Sequence, residues 1–483
     1  MRQAPGTACE QTAKGRKRNK ENRMCILITF VYSDSKLSKL NLSYFIAKKI
    51  RKGKRFSSVV HSIAITSIAL GLGISIVAFL IMHGFQTEVK DRMYKFCNHL
   101  LITQYETGNV VEETPLAFHQ SLRDSLRQFA FVEHMQEVAH KAALVKTVDE
   151  VKGVVLRGVG KDFNLDYFSS FIKEGRFIHF KDTASTNEVV ISRILSDKLK
   201  VNVGDLIVVH FFQNPPRYRK MQVVGIYETN LTEFFDDKMI ISDINVVRRL
   251  NGWDKEDAGG IEILLNKKVT WNQMRREEAK RYERLHNEPP NWLANIQTLS
   301  YLFFNREEAQ IKTARAMLSE NVDYNMAVES VQNKYSMVFD WLELINRQVV
   351  ILLFIILIVI SVNMISVVLI LVMDRTPMVG LLKALGAGDG KIQSVFYWHA
   401  VSFIFRGLLL GNIIGLGVCF LQYSFRWIRL NPRDYYMDVV PIEWSWASVI
   451  FLNALIFVAV SLTLLIPSQL VMRLKPISAI RFD

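Results

Sequence analysis

Cysteine is scarce in this chain of 483 residues: Cys9, Cys25, Cys97 and Cys419 stand far apart and in no metal-ligand spacing. That excludes a paired-cysteine metal centre and a disulfide framework. Catalytic signatures are missing too. A phosphate loop needs four residues between its first glycine and the Gly-Lys pair, then Ser or Thr. In Gly386–Lys391 three intervene and Ile392 follows, and no strand pattern precedes it; Gly158-Val159-Gly160-Lys161 fails likewise. There is no His-Glu-x-x-His and no Gly-x-Ser-x-Gly. The ten histidines are scattered and read as surface or packing residues. No secretory leader is expected in residues 1–39 either. Ile26–Val31 is too short for its apolar core, and no small-residue cleavage site follows. Residues 1–39 carry a basic run, Lys14 to Lys20, without apolar periodicity. They are expected to be a disordered or mis-called N-terminal extension.

What is present is grease and positive charge. Half the residues are hydrophobic, 22% are charged and the formal net charge is +14. That is too apolar for an average soluble enzyme and too charged for a chain buried in lipid throughout. The basic residues gather beside long apolar runs, which points to membrane topology and away from nucleic acid. Residues 40–58 form a basic amphipathic segment. Spans are expected over 59–83, 345–373 with a projecting stalk, 395–422 and 445–466, each long enough for a hydrocarbon core of about 30 Å. Ser67, Gly71 and Ser75 put small residues on one face of the first span. Gly407, Gly411 and Gly415 repeat every four residues in the third. Both are close-packing patterns in lipid. Asn363, in mid-span, should face a neighbouring helix. Arg406 suits either a functional role or snorkelling to the interface.

Residues 84–344 contain no span-length apolar run and mix two periodicities. Strands are expected at Leu100–Gln104, Val151–Val159, Val189–Ile191, Leu206–Phe212, Tyr218–Tyr227, Lys238–Ser242 and Gly260–Leu265. Helices are expected over Leu116–Phe129 and Ser192–Leu199. Asn214, Pro215, Pro216 and Arg217 form the tip of a hairpin. The fold class is therefore membrane α-helical, four transmembrane helices, with a large α+β extracytoplasmic domain inserted after the first. Two lobes are expected in it, one inserted at roughly 150–245.

Between the second and third spans lies a short helix pattern, within 374–394. Pro377 fits a first turn. Met378, Leu381, Leu382 and Leu385 fall on one face, and Gly386, Ala387 and Gly388 end the helix. Basic residues flank the first span, this segment and the 467–483 tail. The 423–444 connection is charge-balanced and rich in interfacial aromatics. Positive-inside counting therefore places both termini and the short helix in the cytoplasm and the insertion outside.

The order and spacing of further motifs extend across the chain: Gly84-Phe85 and His99; Glu188-Val189-Val190-Ile191-Ser192 before Val203-Gly204-Asp205; Val223-Val224-Gly225-Ile226; Phe339-Asp340-Trp341-Leu342; Arg375 to Ala387; Tyr435-Tyr436 with Val440-Pro441; and Pro476 to Arg481. In this the chain resembles lipoprotein-releasing ABC transporter permeases, the LolC/LolE type of the MacB/FtsX superfamily. The resemblance implies a MacB-like periplasmic domain, inner-membrane location and no intrinsic catalytic residue, cofactor or metal. It makes Asp374, Arg375, Pro377, Met378, Gly380, Leu381, Lys383, Ala384 and Gly386 a coupling helix docking on a separate LolD-like ATPase that binds ATP and Mg. Further implied partners are a second permease, an acylated lipoprotein, membrane lipids and a LolA-like periplasmic carrier. One departure is plain: the connection at Gln213–Lys220 is short, where a LolC-type subunit carries an extended hook for the carrier. A MacB-like efflux permease and an FtsX-like signalling protein controlling a cell-wall hydrolase are the alternative readings.

Overall fold

The computed structural model describes residues 55–105, 113–147, 150–181, 185–213, 215–231, 233–277, 306–431, 435 and 437–464. The basic segment before the first span, the C-terminal tail, Asn214 and Tyr436 lie outside them. The chain divides into two compact units, one of Val77–Leu352 with Gly417–Trp446, the other of Met1–Ile76, Leu353–Leu416 and Ala447–Asp483.

The first helix, α1, runs Arg55–Cys97. After it come β1 (Leu100–Gln104), β2 (Leu116–Ala117), α2 (Gln120–Arg127), β3 (Val132–Lys146), β4 (Val151–Val159), β5 (Ile172–Gly175) and β6 (Glu188–Ser192). Then follow α3 (Arg193–Leu199), β7 (Leu206–Phe211), β8 (Arg217–Tyr227), α4 (Glu233–Lys238), β9 (Met239–Asp243) and α5 (Ile244–Asn251). The domain closes with β10 (Asp257–Ala258), β11 (Gly260–Leu265), α6 (Arg306–Ser319) and β12 (Met326–Ser330). The remaining helices are α7 (Ser336–Asp374), α8 (Thr376–Ala384), α9 (Asp389–Phe425) and α10 (Trp446–Thr463).

In the larger unit one sheet runs β12-β1-β11-β3-β4-β9-β6-β8-β5, with β7 bridging β3 and β8. Pairing is antiparallel except β4 with β9 and β6 with β8. Local chemistry sets the elements. The Ser192 side chain caps α3 by accepting from the Leu195 N–H, and Asp243 caps α5 by accepting from Asn245. Gly252, at φ +70°, ends α5 where a side chain would be strained. Gly204 takes φ +102° in the turn into β7, and its N–H donates to the Val223 carbonyl at 2.7 Å.

The regions expected as two lobes share this single sheet. Their cores are joined as well: one cluster packs Met93, Phe96 and Val331 against Val190, Tyr227 and Ile241, with two others to either side. Leu100, Ile102, Ile261 and Ile263 pack with α6 residues in one of these. Val189, Ile191, Leu195, Ile207 and Val223 fill the other. The expected helix over Leu116–Phe129 starts only at Gln120. Leu116 and Ala117 instead pair with β10, and the Phe118 N–H donates to the Glu256 carbonyl at 2.9 Å. The longest strand, β3, has no counterpart among the expected strands. It buries Gln136, Glu137 and Lys141, which break its apolar alternation. Their partners are distant in sequence. Gln136 donates to Glu262 at 2.7 Å, Arg157 donates to both Glu262 oxygens at 2.8 Å, and Arg248 donates to Glu137 at 2.6 Å. Burial opposes the Arg157 charge, but Glu262 beside it holds the guanidinium pKa above its usual value.

In the other unit the glycines of α9 lie against α1. A Cβ on Gly407 would stand 2.7 Å from the Ile68 Cβ, one on Gly411 2.9 Å from the Ala69 carbonyl, and one on Gly415 3.0 Å from the Gly73 carbonyl. Gly71 faces α7, where a Cβ would run into the Ile360 side chain. Ser75 bonds back to the Gly71 carbonyl at 2.8 Å. Polar side chains join the helices: Asn363 donates to Ser67 at 2.8 Å, and Asn412 and Asn453 exchange two amide bonds at 2.7 and 3.0 Å. In lipid such pairs leave no amide group facing hydrocarbon.

Candidate functional site

The short helix α8 sits between α7 and α9. Its start is a tight corner. The Thr376 hydroxyl donates to the Met373 carbonyl at 2.9 Å, and Pro377 occupies the first turn. Its end is closed by Gly386 at φ +84°, whose N–H donates to the Lys383 carbonyl at 3.0 Å, while Ala387 N–H reaches the Leu382 carbonyl at 2.9 Å. Lys383 turns down onto the next helix and pairs with Asp389 at 2.9 Å, leaving its side chain 11% exposed. Asp374 and Arg375 lie side by side at 3.4 Å.

Two faces result. Val379 and Gly380 are buried. Pro377, Leu381, Ala384 and Leu385 are exposed, and Met378 is half-buried. Leu381 is 50% exposed and Leu385 76%, which is a large apolar display for so short a helix. The ridge they form is spaced at i, i+4, i+7 and i+8. Of the residues assigned to coupling, Gly380 and Lys383 are therefore turned away from the exposed ridge. Leu385 joins it without having been assigned. Periodicity grouped Leu381, Leu382 and Leu385, and only packing shows which of them is presented.

The other assigned residues divide as the fold divides. Ser67, Gly71, Ser75, Asn363, Gly407, Gly411 and Gly415 all lie at contacts within the helical unit. Pro215, Pro216 and Arg217 are exposed between β7 and β8, with Arg217 donating to the Arg249 carbonyl at 3.5 Å. Exposed Phe212 and Tyr218 flank them. One pair escaped sequence reading: His61 and His399 bring their Nε2 atoms within 3.2 Å, with Phe403 edge-on to both rings. Nothing in the spacing of two residues so far apart signals it. Among the described residues no three His, Cys, Asp or Glu side chains gather as a metal site.

Two family models match the chain. Residues 350–476 match the FtsX-like permease C-terminal model and residues 62–279 the MacB-like periplasmic core domain. Among described residues, four helices are long and apolar enough to cross a membrane. Four such helices, a MacB-like core after the first and an FtsX-like C-terminal part define a permease of the MacB/FtsX superfamily. Among curated relatives, the lipoprotein-releasing system transmembrane protein LolC of Neisseria meningitidis is 22% identical over 92% of this chain and 98% of its own. LolE of Haemophilus influenzae is 20% identical over 90% and 98%. The chain is a permease of the LolC/LolE type. Among solved structures, the periplasmic region of MacB from Actinobacillus actinomycetemcomitans matches 50% of this chain and 92% of its own, at 12% identity and a TM-score of 0.29.

Proposed function

We propose that this chain is the permease subunit of an ABC transporter that extracts acylated lipoproteins from the bacterial inner membrane and releases them toward the outer membrane. ATP and Mg are bound by a separate ATPase subunit, and the push enters through α8. The observation that carries this reading is the ridge of Pro377, Leu381, Ala384 and Leu385. It is apolar and exposed, on a helix between two membrane spans of a chain similar over 92% of its length to a lipoprotein-releasing permease. Removing acyl chains from a bilayer costs roughly 0.8 kcal/mol per buried CH₂, so cargo with several chains requires both a motor and an apolar receiver. In this reading two permeases pair, their first and second spans wall a cavity for the acyl chains, and the inserted domains pass the cargo to a soluble carrier. The β7–β8 tip is short, so carrier contact here rests on the exposed Phe212 and Tyr218 beside Arg217 and not on a long hook.

The test is co-purification of the ATPase with the paired variant Leu381→Glu, Leu385→Glu. Burying two carboxylates at an apolar contact costs several kcal/mol, so association should be lost while membrane insertion is retained. Undiminished association would remove α8 from the coupling path. Co-purified acylated protein supports release. Drug-stimulated ATP hydrolysis without such cargo would favour the efflux reading, and a captured cell-wall hydrolase the signalling one.

A further inference from the structure

The connection between α9 and α10 leaves one membrane helix at Phe425 and enters another at Trp446. Two spans joined so closely place it at headgroup depth. Exposed Tyr423, Trp427 and Trp446 mark the same level. The connection is folded, not loose. Gln422 reaches across it, accepting from the Ile428 N–H at 3.0 Å and donating to the Ile428 carbonyl at 3.2 Å. Leu430 N–H donates to the Asp438 carbonyl at 2.9 Å, closing a small hairpin. That hairpin lies on α1 at Gly84, where a Cβ would stand 2.8 Å from the Pro441 carbonyl oxygen. Leu430 and Met437 pack there against Phe85 and Val89.

Between hairpin and helix is a cavity of about 420 Å³ lined by Glu88, Arg92, Gln422, Tyr423, Arg426 and Asp438, and by the stretch Val439–Ile442. Its charges are of both signs and unequally committed. Arg92 is held by Glu88 at 2.8 Å and by the Thr229 carbonyl at 3.0 Å. The side chains of Arg426, Asp438 and the Tyr423 hydroxyl form no hydrogen bond or ion pair among the described residues. Arg426 also adopts φ +50° as it terminates α9, its N–H donating to the Gln422 carbonyl at 2.9 Å. A non-glycine residue in that conformation carries about 1 kcal/mol or more of strain, and glycine would end the helix without it. The guanidinium is therefore placed there at a conformational cost, lining the same cavity as the Asp438 carboxylate, at headgroup depth.

We infer that this cavity binds the headgroup of a zwitterionic phospholipid of the phosphoethanolamine class. The phosphate sits at Arg426 with the Tyr423 hydroxyl, and the ammonium between Asp438 and Glu88. Guanidinium matches phosphate in geometry and charge, and a carboxylate matches a primary ammonium. Exposed Phe420, Leu421 and Phe425 give the acyl chains an apolar path. An anionic lipid without an ammonium would leave Asp438 repelling it. This inference rests on membrane embedding alone and not on the cargo, so it stands or falls separately from lipoprotein release.

The full chain, reconstituted in nanodiscs of equal phosphatidylethanolamine and phosphatidylglycerol, would be examined by native mass spectrometry for retained lipid. Phosphatidylethanolamine should be retained over phosphatidylglycerol. Arg426→Gly, which relieves the backbone while removing the cation, should lower that retention by about tenfold, as loss of one charge-assisted hydrogen bond predicts. Asp438→Asn should erase the preference between the two lipids. Soluble O-phosphoethanolamine should compete with the lipid. Its binding without any lipid retention would overturn the membrane source. Equal retention of both lipids, or unchanged retention in both variants, would overturn the site. So would an acylated peptide found in place of phospholipid.

Discussion

Asp236 is buried beneath the sheet at 2% exposure, and its carboxylate accepts the Thr229 hydroxyl at 2.7 Å. Burial, with Glu228 adding repulsion, pushes its pKa from the ordinary 3.8 up to about 6, against the hydrogen bonds that oppose the rise. The folded chain thus holds this proton more tightly than the unfolded one. The stability it contributes is full below about pH 4 and is lost as pH rises through about 6. Asp236→Asn keeps the acceptor for Thr229 and cannot ionise. Near neutral pH it should stabilise the domain by on the order of 2 kcal/mol, and near pH 4 by almost nothing. Thermal unfolding of the full chain in detergent at the two pH values reads this, and an equal effect at both would assign the benefit to something other than ionisation. The same burial lowers the His99 pKa to about 3, so that its ring stays neutral while accepting the Leu265 N–H at 3.2 Å. Asp236 does not advertise itself in the sequence, and the motif containing His99 says nothing of its proton, because depth moves both.

At the scale of elements, legibility followed the kind of force involved. The run from Glu188 to Phe211 could be read directly, since Ser192, Gly204 and the apolar pattern act locally. Strand β3 could not. Its Gln136 and Glu137 look like a solvated face until Arg157, Arg248 and Glu262 arrive from elsewhere. In α8 the corner residues Pro377 and Gly386 were legible because they act through φ, whereas the choice between Leu381 and Leu382 as the exposed residue depends on packing. The glycines of α9 offer a sharper test of element packing. Gly411→Ala puts a Cβ 2.9 Å from the Ala69 carbonyl oxygen and 2.9 Å from the Leu72 Cβ. Backbone cannot yield as a side-chain tip can, so the helices must separate, at about 1–3 kcal/mol. Gly417→Ala, in the same helix, meets nothing within 4 Å and should gain up to about 1 kcal/mol from helix propensity. Melting of the two variants in detergent should therefore move in opposite directions. A shared destabilisation would show that glycine serves this helix for some reason other than its contact with α1.

At the scale of the whole molecule, coupling to a cytosolic motor requires α8 and the inserted domain to face opposite sides of the membrane, an expectation that the span count makes testable. The inserted domain follows α1 and α8 follows α7, so one complete span separates them in the chain. If α7 crosses once, the two are expected on opposite sides. The positive-inside rule predicts the sense, α8 cytoplasmic, since Arg375, Lys383 and Lys391 cluster about it while the α9–α10 connection balances its charges. Two single-cysteine reporters test both statements at once. Cys97 and Cys419 are buried, so a background with Cys9 and Cys25 replaced by serine should be silent toward an impermeant thiol reagent. In spheroplasts Pro216→Cys should label from outside, and Gly388→Cys, exposed just past the end of α8, only after the membrane is opened. Labelling of both from one side would contradict the span count. A reversed pattern would keep the count but turn the permease over, placing α8 where no cytosolic ATPase could reach it.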